Sequence, residues 1–447
     1  MLKIPANLRW LYIDLNSYFA SVEQQLQPRL RGRPVVVAPM AGTDSTCAIA
    51  ASYEAKAFGI KTGTMIYEAR KLCPSLQVVP ARHDKYVAFH HRIMAEIEQH
   101  IPLTKVCSID EVACRLMGEQ QKRGNALALA RRIKQGIMDN VGICLRTSIG
   151  AAPNRFLSKV ASNMQKPDGL TVLEAHELPG RLLDLKLRDL PGIGGKLEQR
   201  LRNAGITSLQ DFWNLNPKHA RKIWHSVEGE RFWYALRGVE VDEPPEKKRH
   251  TIGHSHVLSP RMRPNHKARI VARRLTVKAV TRMRRHGFYA QFYNLYVRYD
   301  IQDQHQLSRE QTRWQGHVKL PMAQNNFTFL KALNQLWEDM TTKSGQDNNP
   351  QNYNPQNYNS QRIKQISVAL YSLTHQDDMM PDMFEALNDP VAREQKKHNR
   401  LSKALDIINK KYGLDTIVIG ALPEPMSRHT GSKIAFTRIP EKAEFYE

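Results

Sequence analysis

Two groups of acids carry the chemistry that this chain can offer: Asp14, in the run YIDLNSYFASVE, and the adjacent pair Asp110 and Glu111, in CSIDEVACRL. Each follows an apolar stretch with strand character, which predicts each carboxylate at a strand end. If neighbouring strands of one sheet bring the three together, their charges repel unless divalent cations neutralise them. Two such ions about 3.5 to 4 Å apart form a clamp suited to in-line phosphoryl displacement, one activating an attacking hydroxyl and the other stabilising the leaving group. A strand-end aspartate taken singly is more often a cap or turn residue, and spacing alone leaves both readings open. Successive strand residues point to opposite faces, so Asp110 and Glu111 can serve one site only if the chain turns or bulges there.

The elements that must hold these acids are legible in outline. Leu8 to Leu15 (LRWLYIDL) is a short apolar strand, and Phe19, Val22 and Leu26 then recur at helical spacing. Further strands are predicted over 34–38, 46–51, 76–79, 104–109, 111–117 and 143–151, with helices over 85–99, 125–139 and 154–165. Interleaving of this kind indicates an α/β or α+β layer structure for the first 170 residues or so. From 182 to 238 short helices broken by Gly and Pro take over, and VDEPPEKKR at 241–249 has the composition of an exposed linker. A second mixed domain follows, with helices over 265–285 and 327–340 and strands over 288–299 and 363–373. Within it NPQNY is repeated at once at 349–358; this polar, low-complexity stretch buries no apolar area and is predicted to be a disordered loop. A basic helix is expected around 394–411.

A length of 447 residues suits about two to four domains. The formal net charge of +23 points to a polyanionic partner, because so basic a surface releases counterions on meeting nucleic-acid phosphates. No run approaches the roughly 18 apolar residues that span a bilayer, so a membrane role is excluded and a cytosolic, nucleoid-associated location is expected. Cys47, Cys73, Cys107, Cys114 and Cys144 never form a C-x-x-C pair and read as small buried apolar residues kept reduced.

Taken together, DLNSYFASVE from Asp14, ASYEAKAFGIKTG from Ala51, SIDE from Ser108, SIGAAPNRFLSKVASNMQKPDG from Ser148, LPGIGGKLEQRLRNAGI from Leu190 and HTIGHSHVL from His250 resemble the Y-family translesion DNA polymerases, closest to the bacterial UmuC-like branch. The resemblance runs along nearly the whole chain and rests on the joint order and spacing of these motifs. It implies an α+β right hand: a palm at 1–30 and 80–170, small fingers at 31–79, a helical thumb at 171–240, a linker at 241–250, a little finger at 251–374 and a tail at 375–447. It implies error-prone, DNA-directed synthesis from dNTPs on primer–template DNA, with Asp14, Asp110, Glu111 and the Leu15 carbonyl holding two Mg2+ ions. Phe19 matches the aromatic gate that excludes a ribose 2′-hydroxyl, although by itself it reads as a core aromatic. Tyr53, Lys56 and Lys166 match the triphosphate contacts, a phenol and two ammonium groups suited to phosphate charge. The amides around Asn16, Ser17, Tyr18 and Phe19, at a helix start, form a second anion site. Two departures stand out: Lys56 where arginine is common, and Arg115 where many members carry a second aspartate after SIDE. The other reading is a non-catalytic DNA-binding accessory subunit; the retention of three mutually repelling acids argues against it.

The grip on DNA is expected in two places. LPGIGGK has the form of a helix-hairpin-helix, with Gly192 and Gly194 letting backbone amides approach a phosphate and Lys196 adding charge. The helix from His266 to Arg285 alternates apolar and basic residues, so Lys267, Arg273, Arg274, Lys278 and Arg282 are predicted to stay outside and meet the backbone. MPDMFE, with anchors Met380, Met383 and Phe384, resembles the pentamers that dock on a sliding clamp, although Met380 replaces the usual glutamine. Other translesion or recombination proteins are further expected partners.

Overall fold

The run WLYIDL is apolar on both faces, and such a strand belongs at the centre of a covered sheet. In the computed structural model it is β1 (Trp10–Leu15), with β6 (Glu111–Arg115) and β7 (Thr147–Ala152) antiparallel on its two sides. Beyond β6 lies β5 (Lys105–Ser108), and beyond β7 the parallel strand β8 (Leu170–Val172). The structure describes residues 5–39, 44, 46–242, 250–300, 312–343, 362–378, 390–413, 416–420 and 439. The chain divides into two units, Met1–Pro244 with Lys433–Phe445, and Pro245–Ser432 with Tyr446–Glu447. It is an α+β multidomain protein.

In the first unit α1 (Tyr18–Leu26), α4 (His83–Glu98) and α5 (Arg123–Gly136) share a core with the five-stranded sheet. Leu11, Ile13, Val112 and Ile149 are fully buried there, each contributing about 1.5–3 kcal/mol of transfer free energy. A smaller sheet places β2 (Val35–Ala38) between β3 (Ala50–Ala51) and β4 (Gln77–Pro80), with α2 (Tyr53–Ala57) and α3 (Ile66–Leu72) alongside. The strand predicted over 46–51 shrinks to two residues plus a bridge between Cys47 and Met65, and both short helices went unread because five to seven residues hold too little periodicity.

On β7, Gly150 decides how closely α6 (Arg155–Met164) can lie. A Cβ there would meet the Ser158 carbonyl oxygen at 2.1 Å and the Ser162 amide nitrogen at 2.3 Å. Only glycine permits this approach, and it brings the middle of α6 down onto the end of β1. The other face of α6 joins the helical region of α7 (Gly195–Asn203), α8 (Leu209–Asn214), α9 (Pro217–Trp224) and α10 (Glu228–Leu236). Asn154 caps α6 by accepting from the Leu157 amide, and its own amide donates to the carbonyls of Ala235 and Val239.

The second unit is a four-stranded antiparallel sheet, ordered β11 (Arg313–Ala323), β10 (Phe288–Tyr299), β12 (Ile363–His375) and β9 (Thr251–Val257). Its inner face packs on α11 (Asn265–Arg285) and α12 (Asn326–Lys343). A final helix, α13 (Pro390–Tyr412), is held there by Asp406 on Arg284 and by Ser402 Oγ accepting from the Asn326 amide. Three strands escaped the sequence reading: the three-residue β8 of the first unit, and here β9 and β11, although RWQGHVKL in β11 alternates as a half-exposed strand should. Most of the predicted linker, most of the Asn/Gln-rich loop and the MPDMFE patch lie outside the described residues. Of the cysteines, Cys73 and Cys114 are buried as expected, whereas Cys47, Cys107 and Cys144 are half-exposed; all five are free thiols. No helix among the described residues is long and apolar enough to cross a membrane.

Candidate active site

The turn that the sequence requires is present. β5 and β6 form a hairpin whose two-residue connection is Ile109 and Asp110, with Ser108 paired to Glu111. Asp110 therefore projects from a turn while Glu111 starts a strand, and the alternation rule no longer separates them. The turn is fixed from two sides: the Asp110 carbonyl accepts from the Leu15 amide at 2.9 Å, and His90 Nδ1 lies 2.8 Å from the Ile109 carbonyl. Burial lowers the His90 pKa, so its neutral ring donates through that nitrogen.

Asp14 and Glu111 are directly opposite in the β1–β6 register, and like charges in that position destabilise a sheet. The compensation comes from α6 and from the loop that follows it. Lys159 Nζ donates to Glu111 Oε1 at 2.5 Å and to Asp14 Oδ2, while Lys166 Nζ donates to Asp14 Oδ1 at 2.7 Å. The second Glu111 oxygen accepts from the Tyr12 hydroxyl at 2.8 Å, and the Lys159 ammonium lies 5.0 Å from the centre of the Tyr12 ring. Asp110 Oδ1 accepts from Ser108 Oγ at 2.6 Å. Burial, aided by Glu111 and Asp14 against the Ser108 hydrogen bond, pushes the Asp110 pKa up to about 6. Burial alone would lower the Lys159 pKa, but Asp14 and Glu111 outweigh it and the net direction is up. Burial, then Glu111, raises the Tyr12 pKa far enough to keep the phenol a donor.

Three carboxylates are the hard oxygen donors that Mg2+ prefers, and the chemistry of the set fits that ion. Their geometry is not yet a chelate. Among the described residues no three Asp, Glu, His or Cys side chains stand together ready to hold a metal, and an ammonium occupies the space between two of these acids.

Around this centre the structure gathers the other expected residues of the first unit. Lys56 Nζ, from α2, reaches Ser17 Oγ at 2.8 Å and stands 4.2 Å from the Tyr53 ring centre. Burial and the neighbouring Lys166 lower the Lys56 pKa against the pull of Asp14; burial, then Asp14, pushes the Tyr53 phenol up to about 12. Phe19 is buried and stacked on Tyr86 at 4.4 Å. Asn16 departs from its expected role: its amide donates to the Arg146 carbonyl, and its side chain bonds Ser148 Oγ and accepts from the Asp168 amide. It anchors the loop that carries Lys166, and Ser17 (φ +47°), just before α1, makes no side-chain cap.

Gly192 (φ +94°), Gly194 and Lys196 are exposed at the start of α7, as the hairpin motif requires. The basic residues of α11 are not fully outside: Lys267, Arg273, Arg274, Lys278 and Arg282 are half-buried, and Arg282 donates to the Gly253 carbonyl at 2.7 Å. The helix is covered by β9 as well as by the sheet centre, which a helical wheel does not show. Sequence reasoning missed Lys159 and Tyr12. Lys159 sat inside a quoted motif, and Tyr12 lies two residues before Asp14 on the same strand face, a signal that period-two reading supplies.

Residues 13–163 match the model of the impB/mucB/samB family, and residues 249–382 match that family's C-terminal domain. The DNA polymerase IV of Moorella thermoacetica is 39% identical over 282 residues, covering 62% of this chain and 70% of the relative. DNA polymerase IV 1 of Bacillus subtilis is 28% identical over 94% of both chains. A solved Y-family DNA polymerase chimera superposes with a TM-score of 0.64 at 25% identity, covering 82% of this chain and 99% of that one. With the acids at the end of β1 and at the β5–β6 turn, and with both family domains matched in order, the chain belongs to the impB/mucB/samB family of Y-family DNA polymerases.

Proposed function

We propose that this protein extends a DNA primer on damaged templates by metal-dependent nucleotidyl transfer with low selectivity. The observation that carries the reading is the convergence of Asp14, Asp110 and Glu111 beside Lys56, Lys166, Tyr53 and Phe19. The three acids, with the Leu15 carbonyl, would hold two Mg2+ ions, which when bound supply charge neutralisation for the attacking 3′-oxygen and the departing pyrophosphate. Lys56, Lys166 and the Tyr53 hydroxyl orient the triphosphate of an incoming dNTP, and Phe19 closes the space beside C2′ of its sugar. The sheets and helices divide the labour as palm, fingers, thumb and little finger at the boundaries given above. The β2–β4 region, with strands of two to four residues, would make few contacts with the nascent pair, in keeping with error-prone synthesis.

DNA is held through its backbone. The amides near Gly192 and Gly194 and the Lys196 ammonium suit one phosphate. On the open face of the second unit's sheet, Arg298 and Arg313 are directly opposite, and Arg313, His317 and Lys319 alternate outward along β11. Opposed cations destabilise a bare sheet and are relieved by an anion lying across them. The segment with Met380, Met383 and Phe384 is proposed to tether the protein to a sliding clamp. The relatives named DNA polymerase IV support the polymerase reading.

Primer extension on undamaged and abasic templates with Mg2+ tests this, comparing the wild type with Asp110→Ala/Glu111→Ala. The wild type should extend both templates and the double variant neither, a loss of more than about a thousandfold. A folded wild type that extends neither template overturns the proposal in favour of an accessory DNA-binding role.

A further inference from the structure

Every oxygen of the two opposed acids has a partner. Asp14 Oδ2 and Glu111 Oε1 share the Lys159 ammonium, Asp14 Oδ1 takes Lys166, and Glu111 Oε2 takes the Tyr12 hydroxyl. The Lys159 side chain is only 16% exposed and Asp14 6%, so this is an enclosed charge cluster rather than a solvated surface pair. Lys166 is 30% exposed and lies with the groups assigned above to the triphosphate, so a nucleotide can draw it away. Lys159 has no such second role: it is fixed in the middle of a helix seated on β7 by Gly150, and its neighbours are the two acids and the Tyr12 ring.

We propose that Lys159 is a resident counter-cation, holding Asp14 and Glu111 in register in the resting protein and occupying the place between them that a divalent ion must take. The inference rests on the metal-dependent reading above and adds a competition to it. With Lys159 bound, the three acids carry two ammonium partners, and the cluster gains little from an ion. Divalent binding is consequently weak in the protein alone and strengthens when the incoming triphosphate recruits Lys166 and the ion displaces Lys159. Tyr12 stays on Glu111 throughout, because its single hydrogen bond leaves Oε1 open once the lysine has moved. Lys159 and Tyr12 are thus positioning residues.

The test measures metal, not turnover: Mn2+ binding to the full-length protein without DNA or nucleotide, by titration of the free-ion EPR signal. Lys159→Met, of similar length and uncharged, should bind Mn2+ about tenfold or more tightly than the wild type, since removing a contacting unit charge changes such a site by at least that factor. Lys159→Arg keeps the charge and should stay weak. Lys159→Met should also melt lower than the wild type without metal and regain Tm on Mn2+ addition, whereas the wild type should shift little. Equal or weaker Mn2+ binding by folded Lys159→Met overturns the proposal. If that variant does not fold, Lys159→Gln is read by the same titration and decides the matter. Asp14→Ala in either background separates the two levels: if it leaves Mn2+ binding unchanged, the metal reading of the acids fails; if it abolishes binding while Lys159→Met changes nothing, only the competition fails.

Discussion

Removing the Phe19 ring should relax sugar selectivity by an amount that its surroundings allow to be worked out. The ring is 7% exposed, stacked on Tyr86 with centroids 4.4 Å apart and planes 14° from parallel, and edge-on to His83 at 6.1 Å. Tyr86 is itself braced: its hydroxyl donates to Glu23 at 2.8 Å, Glu23 is paired with Arg82, and its carbonyl accepts from the Tyr18 hydroxyl at 2.6 Å. Phe19 therefore has no room to retreat from a 2′-hydroxyl. Forcing an extra atom into such packing costs about 1–3 kcal/mol, or roughly 5- to 150-fold in kcat/KM. Phe19→Ala should raise the ratio of ribonucleotide to deoxynucleotide kcat/KM by that factor in single-nucleotide primer extension. Loss of the buried ring also costs about 3–5 kcal/mol of stability, so the assay must run well below the variant's melting temperature, with Phe19→Leu as a milder companion. Tyr86→Leu should give a smaller increase without touching residue 19, because it removes the backing alone. An unchanged ratio for Phe19→Ala refutes the gate; an unchanged ratio for Tyr86→Leu refutes the bracing and leaves the gate standing.

Two further outcomes follow from contacts already described. Lys196→Ala should weaken DNA binding equally for unrelated sequences and reduce the slope of log affinity against log salt by about one, a phosphate-contact signature; a sequence-dependent loss would refute it. Arg115→Asp should destabilise the first unit by placing a carboxylate against Glu240, and adding Glu240→Arg should restore part of the loss. Because both groups are about a third exposed, a double-mutant cycle on Arg115 and Glu240 in denaturant should give a coupling of about 1 kcal/mol, and zero coupling would refute the pairing.

What was legible in the sequence was what local pattern encodes. The strand carrying Asp14, the turn demanded between Asp110 and Glu111, and the long helix and strand at 265–285 and 288–299 all follow from periodicity or from the alternation rule. Short elements were lost because α2 and α3 are too brief to show a period, and β9 because its Gly and His residues mask alternation. The lysine between the acids belongs to a different kind of information. Asp14 and Lys159 are 145 residues apart, and only the close seating of α6 over Gly150 brings them into contact. Asn16 illustrates the converse: its motif marks it as part of an anion site, yet tertiary contacts with Arg146, Ser148 and Asp168 claim every polar group used here.

The two departures from the family pattern acquire different meanings once their partners are known. Arg115 is four residues along β6 from Glu111, about 13 Å at the rise of a strand, too far to join the three acids. Its guanidinium instead grips Glu240, which also accepts from Trp10 Nε1 at 2.9 Å and Arg9 at 3.1 Å. An aspartate at 115 would add a negative charge to Glu240, whereas arginine completes its pairing; the substitution is a local charge exchange that ties residue 240 to the ends of β1 and β6, remote from catalysis. Lys56 is the reverse case. It stands beside Tyr53, Ser17 and Lys166, the groups proposed above to meet a triphosphate, where a point charge replaces a two-pronged donor. Of the two changes, Lys56 is the one placed to alter how firmly a nucleotide is oriented.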